Sequence, residues 1–115
     1  MPPRAVPARP RSKEKMMMKA AFVYVTPEVS PETHTAELVS EGLTLTVVGC
    51  VDYAQAEQVA KDLVAKGINA IELCAGFGNE GVARVTKAVE GKVPVGVVRF
   101  DRHPGLGFKS GDELF

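Results

Sequence analysis

Short runs of β-branched and aromatic residues alternate with amphipathic segments along this chain, and that alternation constrains its fold more than any other feature. Four runs are predicted to be strands, over residues 19–25, 43–49, 69–74 and 93–100. Three segments between them are predicted to be helices, over residues 31–39, 52–66 and 79–90. Alternation at this spacing indicates an α/β fold with a four-stranded, mainly parallel sheet. A chain of 115 residues has room for one such domain.

The three predicted helices do not carry equally strong signals. In the middle one, Asp52 and Gln55 have the spacing of a capping box, and Gly67 ends the segment. Its apolar residues recur at helical spacing: Ala56, Val59, Ala60, Leu63 and Val64. The prediction of the first helix depends on a Ser-Pro-Glu start signal at residues 30–32, and the segment that follows has few apolar side chains.

The pattern of the second predicted strand favours one order of strands in the sheet. Thr44 and Thr46 alternate with apolar residues, which is typical of a strand at an edge. The order 2-1-3-4 places that strand at an edge and gives half of a flavodoxin-like or Rossmann-like fold. The sequential order 1-2-3-4, similar to half of a TIM barrel, stays open. In the favoured order the first helix alone covers one face, so we expect a homo-oligomer that buries this face.

The ends of the chain differ in composition from the domain, which we place at residues 18–104. Residues 1–17 are basic and rich in proline, which predicts a disordered leader, or a segment upstream of a true start at Met16–Met18. Residues 105–115 are rich in glycine and predict an irregular tail, expected to pack on a neighbouring subunit. The apolar residues available for that packing are Leu106, Phe108, Leu114 and Phe115.

Composition and charge argue against several classes of protein. The formal net charge is zero, but the first 18 residues are basic and the remaining 97 are acidic on balance. An acidic domain argues against nucleic acid as a partner. No apolar run approaches the ~20 residues that span a membrane, and no apolar segment suits a secretory signal, so we expect a cytoplasmic protein. With two histidines and two cysteines that do not cluster, we expect no metal and no cofactor.

A glycine pattern follows the third predicted strand. Gly76, Gly78 and Gly81 match G-x-G-x-x-G between a strand and a helix, where backbone amides favour an anion. The alternative is that these glycines only form a tight turn. A full dinucleotide site would need a second mononucleotide half, which the chain lacks. The candidate ligand-binding residues for a small anionic metabolite are Gly76, Phe77, Gly78, Asn79, Glu80, Gly81, Arg99 and Asp101.

Three further residues are candidates for acid–base or nucleophilic chemistry. Glu72 is a charge within an apolar strand, and its alternative role is an ion pair with Arg99. Cys74 ends the same strand and is a candidate reactive thiol. The alternative is that it is buried and acts as a small apolar residue. His103 follows the fourth strand, and its alternative is a loop histidine with one hydrogen bond. If the protein is an enzyme, these residues favour lyase or isomerase chemistry.

Three segments of the chain resemble one family: IELCAGFGNEG at residues 71–81, VPVGVVRFDRHPG at 93–105 and KSGDELF at 109–115. The family consists of small prokaryotic proteins and is known only as a domain of unknown function. The resemblance begins near residue 18 and implies no activity or cofactor. Two hypotheses follow for function: a small protein that binds an anionic metabolite, with or without catalysis, or a non-catalytic module that assembles through a sheet face and its tail.

Overall fold

The computed structural model describes residues 18–115, so the predictions for residues 1–17 lie outside the described part of the chain. Five strands and two helices make up the domain. The strands are β1 (Met18–Val25), β2 (Thr35–Val39), β3 (Leu43–Cys50), β4 (Ala70–Leu73) and β5 (Val95–Val97), and the helices are α1 (Tyr53–Ala65) and α2 (Asn79–Ala88). Two short 3-10 turns follow, at Pro104–Leu106 and Gly111–Glu113. None of the described helices has the length and apolarity to cross a membrane.

The strands form one mixed sheet in the order β2-β3-β1-β4-β5. The strands β3, β1, β4 and β5 run parallel, and β2 pairs antiparallel with β3. The four predicted strands therefore lie in the favoured order, and the sequential order is wrong. The predicted edge position of residues 43–49 is also wrong, because β2 pairs with the outer side of β3. The last strand is shorter than predicted, because only residues 95–97 pair with β4.

The predicted first helix, residues 31–39, is wrong. Residues 31–33 form a turn, and Thr35–Val39 is the edge strand β2. A tight connection at residues 40–42 folds β2 back on β3, where the Ser40 amide donates to the Leu43 carbonyl at 2.8 Å. A helix over residues 31–39 would have only three apolar side chains to bury, those of Ala36, Leu38 and Val39. In the extended conformation, the backbone of this segment forms hydrogen bonds with β3 instead.

Both helices lie on one face of the sheet and pack beside each other. The connections through α1 and α2 lead from β3 to β4 and from β4 to β5, in the same direction across the sheet, so right-handed crossovers place both helices on the same side. The largest fully buried side chains of the resulting core are Tyr53, Ile71, Leu73, Val23, Val85 and Cys50. At the start of α1, Asp52 Oδ1 accepts from the Gln55 amide at 2.8 Å, which confirms the predicted N-cap.

The opposite face of the sheet has no helix over it within residues 18–115. A helix at residues 31–39 would cover this face, but that segment instead extends the sheet at the β2 edge. Alternation along the strands places Phe22, Tyr24, Leu45, Val47 and Leu38 on the uncovered face, together with Glu72. The predicted direction of Glu72, away from the helices, is confirmed: Glu72 is exposed, whereas Ile71 and Leu73 are buried under the helices.

Candidate functional site

The turn between β4 and α2 is packed tightly against the C-terminal tail. A Cβ atom at Gly78 would come within 2.5 Å of the side chains of Asp112 and Ser110. A Cβ at Gly111 would overlap the carbonyl oxygen of Gly76. The glycines therefore permit close contact between turn and tail, which supports the interpretation of the motif as a tight turn. The tail packs on its own chain here, and docking of Phe108 or Leu114 on a neighbouring subunit stays a prediction.

Asp112 from the tail occupies the N-terminus of α2. Its Oδ2 accepts from the Glu80 amide at 2.9 Å, and its Oδ1 accepts from the Gly81 amide at 3.2 Å and the Tyr53 hydroxyl at 2.7 Å. Because the N-cap residue Gly78 has no side chain, Asp112 supplies the cap from outside the helix. Partial burial alone raises the pKa of Asp112, but the hydrogen bonds from Glu80, Tyr53 and Gly81 outweigh it, so the net pKa is lowered.

Tyr53 connects the first turn of α1 to this helix end. Its ring stacks on Phe77 at 5.6 Å between centroids, and it lies 6.4 Å from the Phe115 ring. The hydroxyl accepts from the Gly78 amide at 3.0 Å while it donates to Asp112. Burial and the hydrogen bond to Asp112 raise the pKa of Tyr53, so the phenol is neutral at physiological pH. Tyr53 therefore joins the turn, the tail and α1 in one hydrogen-bonded unit.

These contacts change how the predicted anion site can work. Asp112 and Tyr53 already engage the amides of Gly78, Glu80 and Gly81, which the sequence pattern offers to a ligand. The anion that the helix end favours is thus supplied by the chain itself. A bulky residue at Gly78 would also displace the tail, so this substitution does not separate ligand binding from folding.

A cleft of about 370 Å³ lies beside the same turn, beyond the carboxyl ends of β4 and β5. It brings together the predicted ligand-binding residues Phe77, Gly78, Asn79, Arg99 and Asp101. The other lining residues are Val82, Val97, Phe100 and Ser110. Gly76, Glu80 and Gly81 do not line it. Part of the predicted set therefore shares one concave surface at the strand ends, and the other part lies in the turn and helix behind it.

Arg99 contributes the cleft's positive charge. Its Nε donates to Asp101 Oδ1 at 2.9 Å, and both side chains are largely exposed. The predicted ion pair between Arg99 and Glu72 is wrong, because the ion pair of Arg99 is with Asp101 and Glu72 lies on the uncovered sheet face. An exposed ion pair of this kind contributes little to stability, so the guanidinium can serve another acceptor.

None of the three predicted catalytic residues, Glu72, Cys74 and His103, lines the cleft. Cys74 accepts a hydrogen bond from the Gly76 amide at 3.2 Å, and it forms no disulfide with Cys50. His103 Nδ1 accepts from the Gly105 amide at 2.9 Å, which caps a 3-10 turn and matches the alternative of a loop histidine. Burial raises the pKa of the Cys50 thiol to about 12, so this cysteine stays protonated.

Sequence reasoning missed Tyr53, Ser110 and Asp112. Residues 110–113 carry a signal that local patterns can detect, since Ser-Gly-Asp-Glu has the spacing of a capping box, and the structure forms it. Nothing local indicates that Asp112 reaches an amide 31 residues earlier in the chain. A second groove, of about 630 Å³, lies between α1 and the neighbouring strands β2 and β3, where no third helix covers the sheet within the described residues. In residues 18–115, no group of three potential metal-ligating side chains is found.

Comparison with protein families matches residues 18–113 to the model of a family of unknown function, DUF6506. The chain belongs to DUF6506. The match begins at the first residue of β1 and includes Asp112, so the tail that caps α2 is part of the DUF6506 region. The resemblance drawn from the three sequence segments is confirmed. No curated protein and no solved structure is significantly similar to the chain.

Proposed function

We propose that this protein binds a small anionic metabolite in the cleft between the Gly78 turn, α2 and the end of β5. The observation that carries the proposal is the position of Arg99 on the wall of a concave site at the carboxyl ends of the parallel strands. Ligands of open α/β sheets bind at this edge. A volume of about 370 Å³ lies within the range of small-molecule sites.

The cleft's polar groups suit one anionic group on the ligand. Arg99 donates a hydrogen bond from Nε to Asp101, and the two terminal nitrogens of its guanidinium can donate to a carboxylate or phosphate. Asn79 is exposed on the first turn of α2, and its side-chain amide supplies a further donor. Arg99 and Asn79 therefore replace, in this proposal, the turn amides that Asp112 and Tyr53 engage.

The cleft's other walls suit an apolar body on the same ligand. Phe77, Val82, Val97 and Phe100 line it. A ligand with one anionic group and a short aliphatic or aromatic part matches both halves of the site, whereas inorganic phosphate fills only the polar half. The proposed ligand class is therefore a small carboxylic acid or phosphate monoester with an apolar portion.

The proposal is for binding, and catalysis by Glu72, Cys74 and His103 is not part of it. A general acid or base must come within hydrogen-bond reach of the substrate, directly or through one water. Among the described residues that line the cleft, Asp101 is the acidic side chain, and it pairs with Arg99. Lyase or isomerase activity needs a separate measurement: each stabilising compound is incubated with the protein and its concentration is followed over time.

Thermal unfolding with a ligand panel tests this proposal. The panel contains phosphate, phosphate monoesters, and aliphatic and aromatic carboxylic acids, each paired with its neutral amide or alcohol. A ligand at 100 times its dissociation constant should raise the free energy of unfolding by ~2.7 kcal/mol. The acid should stabilise the protein and its neutral counterpart should not.

Substitution of Arg99 identifies the site. We expect Arg99→Ala to weaken binding of the stabilising acid at least ~10-fold, since a hydrogen bond to a charged group contributes about 1.5–3 kcal/mol. Arg102→Ala is the matched control, because Arg102 is an exposed arginine three residues away that does not line the cleft. Isothermal titration calorimetry measures both. Equal losses in the two variants, or no stabilising acid in the panel, would reject the proposal.

A further inference from the structure

The uncovered face of the sheet is an apolar surface. It carries Phe22 and Tyr24 from β1, Leu45 and Val47 from β3, and Leu38 from β2, which is 64% exposed. The ring of Tyr24 lies across Gly49, where a Cβ atom would come within 2.7 Å of it. Because Gly49 has no side chain, the ring of Tyr24 can lie close to the backbone of β3.

We infer that this face is the interface of a homodimer, in which the sheets of two copies of the chain pack against each other. Sheets of parallel strands are nearly always covered on both faces, because their strands are apolar on both sides. Here α1 and α2 cover one face, and no described element covers the other. A second copy supplies an equally apolar sheet face and completes a four-layer arrangement, with the helices outside and the two sheets inside.

The size of the face suits a weak dimer. Its five strands contain three to eight residues each and lie about 4.8 Å apart, which gives an area of roughly 450 Å². Two such faces bury about 900 Å² in total, which lies in the range of weak interfaces. The large side chains of β1 and β3 form the centre of the proposed dimer interface.

One charged side chain on this face opposes formation of the dimer. Glu72 is the one charged residue that alternation places on it within β1–β5, and its neighbours across the strands are Phe22 and Gly96. Glu72 lies on β4, one strand away from the central strand β1. A two-fold axis parallel to the strands places β4 of each copy against β3 of the other, so the two Glu72 carboxylates do not meet. Each one is buried against apolar side chains instead, and this burial weakens the dimer.

Two neighbouring residues of β2 provide a matched pair of variants. Leu38 and Val39 are both exposed, at 64% and 71%, but their side chains lie on opposite faces of the sheet. We expect Leu38→Lys to weaken the dimer at least ~10-fold, since burial of an ammonium group costs well above the 1.4 kcal/mol that corresponds to this factor. Val39→Lys should leave the dissociation constant unchanged. Because both side chains are exposed, both variants should fold, which circular dichroism checks.

Sedimentation equilibrium of the full chain measures the dimer directly. The wild type should have twice the mass of the 12.3 kDa chain. Glu72→Gln should tighten the dimer, because it removes the buried charge and retains the shape of the side chain. A monomeric wild type would overturn the inference and leave the face to another partner. Equal weakening by Leu38→Lys and Val39→Lys would overturn it as well, since it would indicate pairing through the β2 edge.

Discussion

Replacement of Tyr53 by alanine should lower the free energy of unfolding by about 3–5 kcal/mol, the range for truncation of a large buried aromatic side chain. Tyr53 is 2% exposed, and its ring contacts Phe77, Phe115 and the Arg84 guanidinium. The ring also fills the space that a Cβ at Gly81 would enter. Its loss leaves a cavity at the junction of α1, α2 and the tail. Urea denaturation followed by circular dichroism measures the change.

Tyr53→Phe separates packing from hydrogen bonding. This variant retains the ring and removes the hydroxyl, so the Gly78 amide and one oxygen of Asp112 each lose a partner. We expect a loss of about 1–3 kcal/mol in unfolding free energy, the cost of unsatisfied polar groups in a partly buried site. If Tyr53→Phe has the stability of the wild type, the hydroxyl does not connect the turn to the tail. If Tyr53→Ala does not fold, the phenylalanine variant still gives the comparison.

The order of the four predicted strands is correct, but the reason given for it is only partly so. Thr44 and Thr46 mark β3 as partly polar, yet β3 is not at the edge, because β2 pairs with its outer side. The apolar stripe of α1 predicts the residues that it buries: Ala56, Val59, Ala60 and Leu63. Periodicity and caps are properties of neighbouring residues, so a single sequence displays them directly.

The edge strand β2 could not be predicted in the same way. The start signal at residues 30–32 is genuine locally, since the Glu32 amide donates to Ser30 Oγ at 3.2 Å. The following residues nevertheless form a strand, because the unpaired edge of β3 accepts their backbone hydrogen bonds. β2 and β3 form a hairpin joined by residues 40–42, so the partner of β2 is the next segment of the chain. Pairing between neighbouring strands therefore overrides the weak helix preference of residues 31–39.

The sequence predicts where the candidate site lies in the fold but not how its side chains are arranged. The glycine pattern correctly indicates a strand-to-helix turn at the carboxyl edge of the sheet. It does not show that Asp112 has taken the position of an anion, or that Arg99 pairs with Asp101 and not with Glu72. The contacts of Asp112 depend on how the tail returns across the strand ends, which no local pattern determines.

The tail also links the stability of the fold to the cleft. Ser110 lines the cleft, and its Oγ accepts from the Asp112 amide at 3.1 Å. Gly78 contacts both residues on the opposite side. A tail that leaves α2 therefore removes one wall of the proposed binding site. Variants that release Asp112 should weaken ligand binding even though Asp112 itself does not line the cleft.

Asp112→Ala tests this link, and after Tyr53→Ala it is the second substitution for which we expect a large loss of unfolding free energy. The substitution removes three hydrogen bonds to one carboxylate, from Tyr53, Glu80 and Gly81, and a negative charge at the N-terminus of α2. We expect a loss of about 2–4 kcal/mol in unfolding free energy, because a lost helix cap and a buried unpaired donor each contribute about 1–2 kcal/mol. Urea denaturation measures it.

The neighbouring acidic residue provides the control for this substitution. Glu113→Ala also removes one negative charge from the tail, and it retains all three hydrogen bonds to Asp112. The side chain of Glu113 accepts one exposed hydrogen bond, from the Ser110 amide at 3.1 Å, so its loss should cost less than the loss of Asp112. Equal destabilisation by the two variants would mean that the charge of the tail matters and the cap on α2 does not.

The pH dependence of the difference between wild type and Asp112→Ala identifies the carboxylate as its source. The pKa of Asp112 is lower in the folded protein than in the unfolded chain, so its contribution to stability is fully present above the unfolded value, near 4. The contribution is lost as the pH falls through the folded-state pKa. We therefore expect the gap in unfolding free energy to be constant from neutral pH to about pH 5 and to narrow below about pH 4. A gap that stays the same in acid would show that Asp112 acts through packing and not as the anion at the helix end.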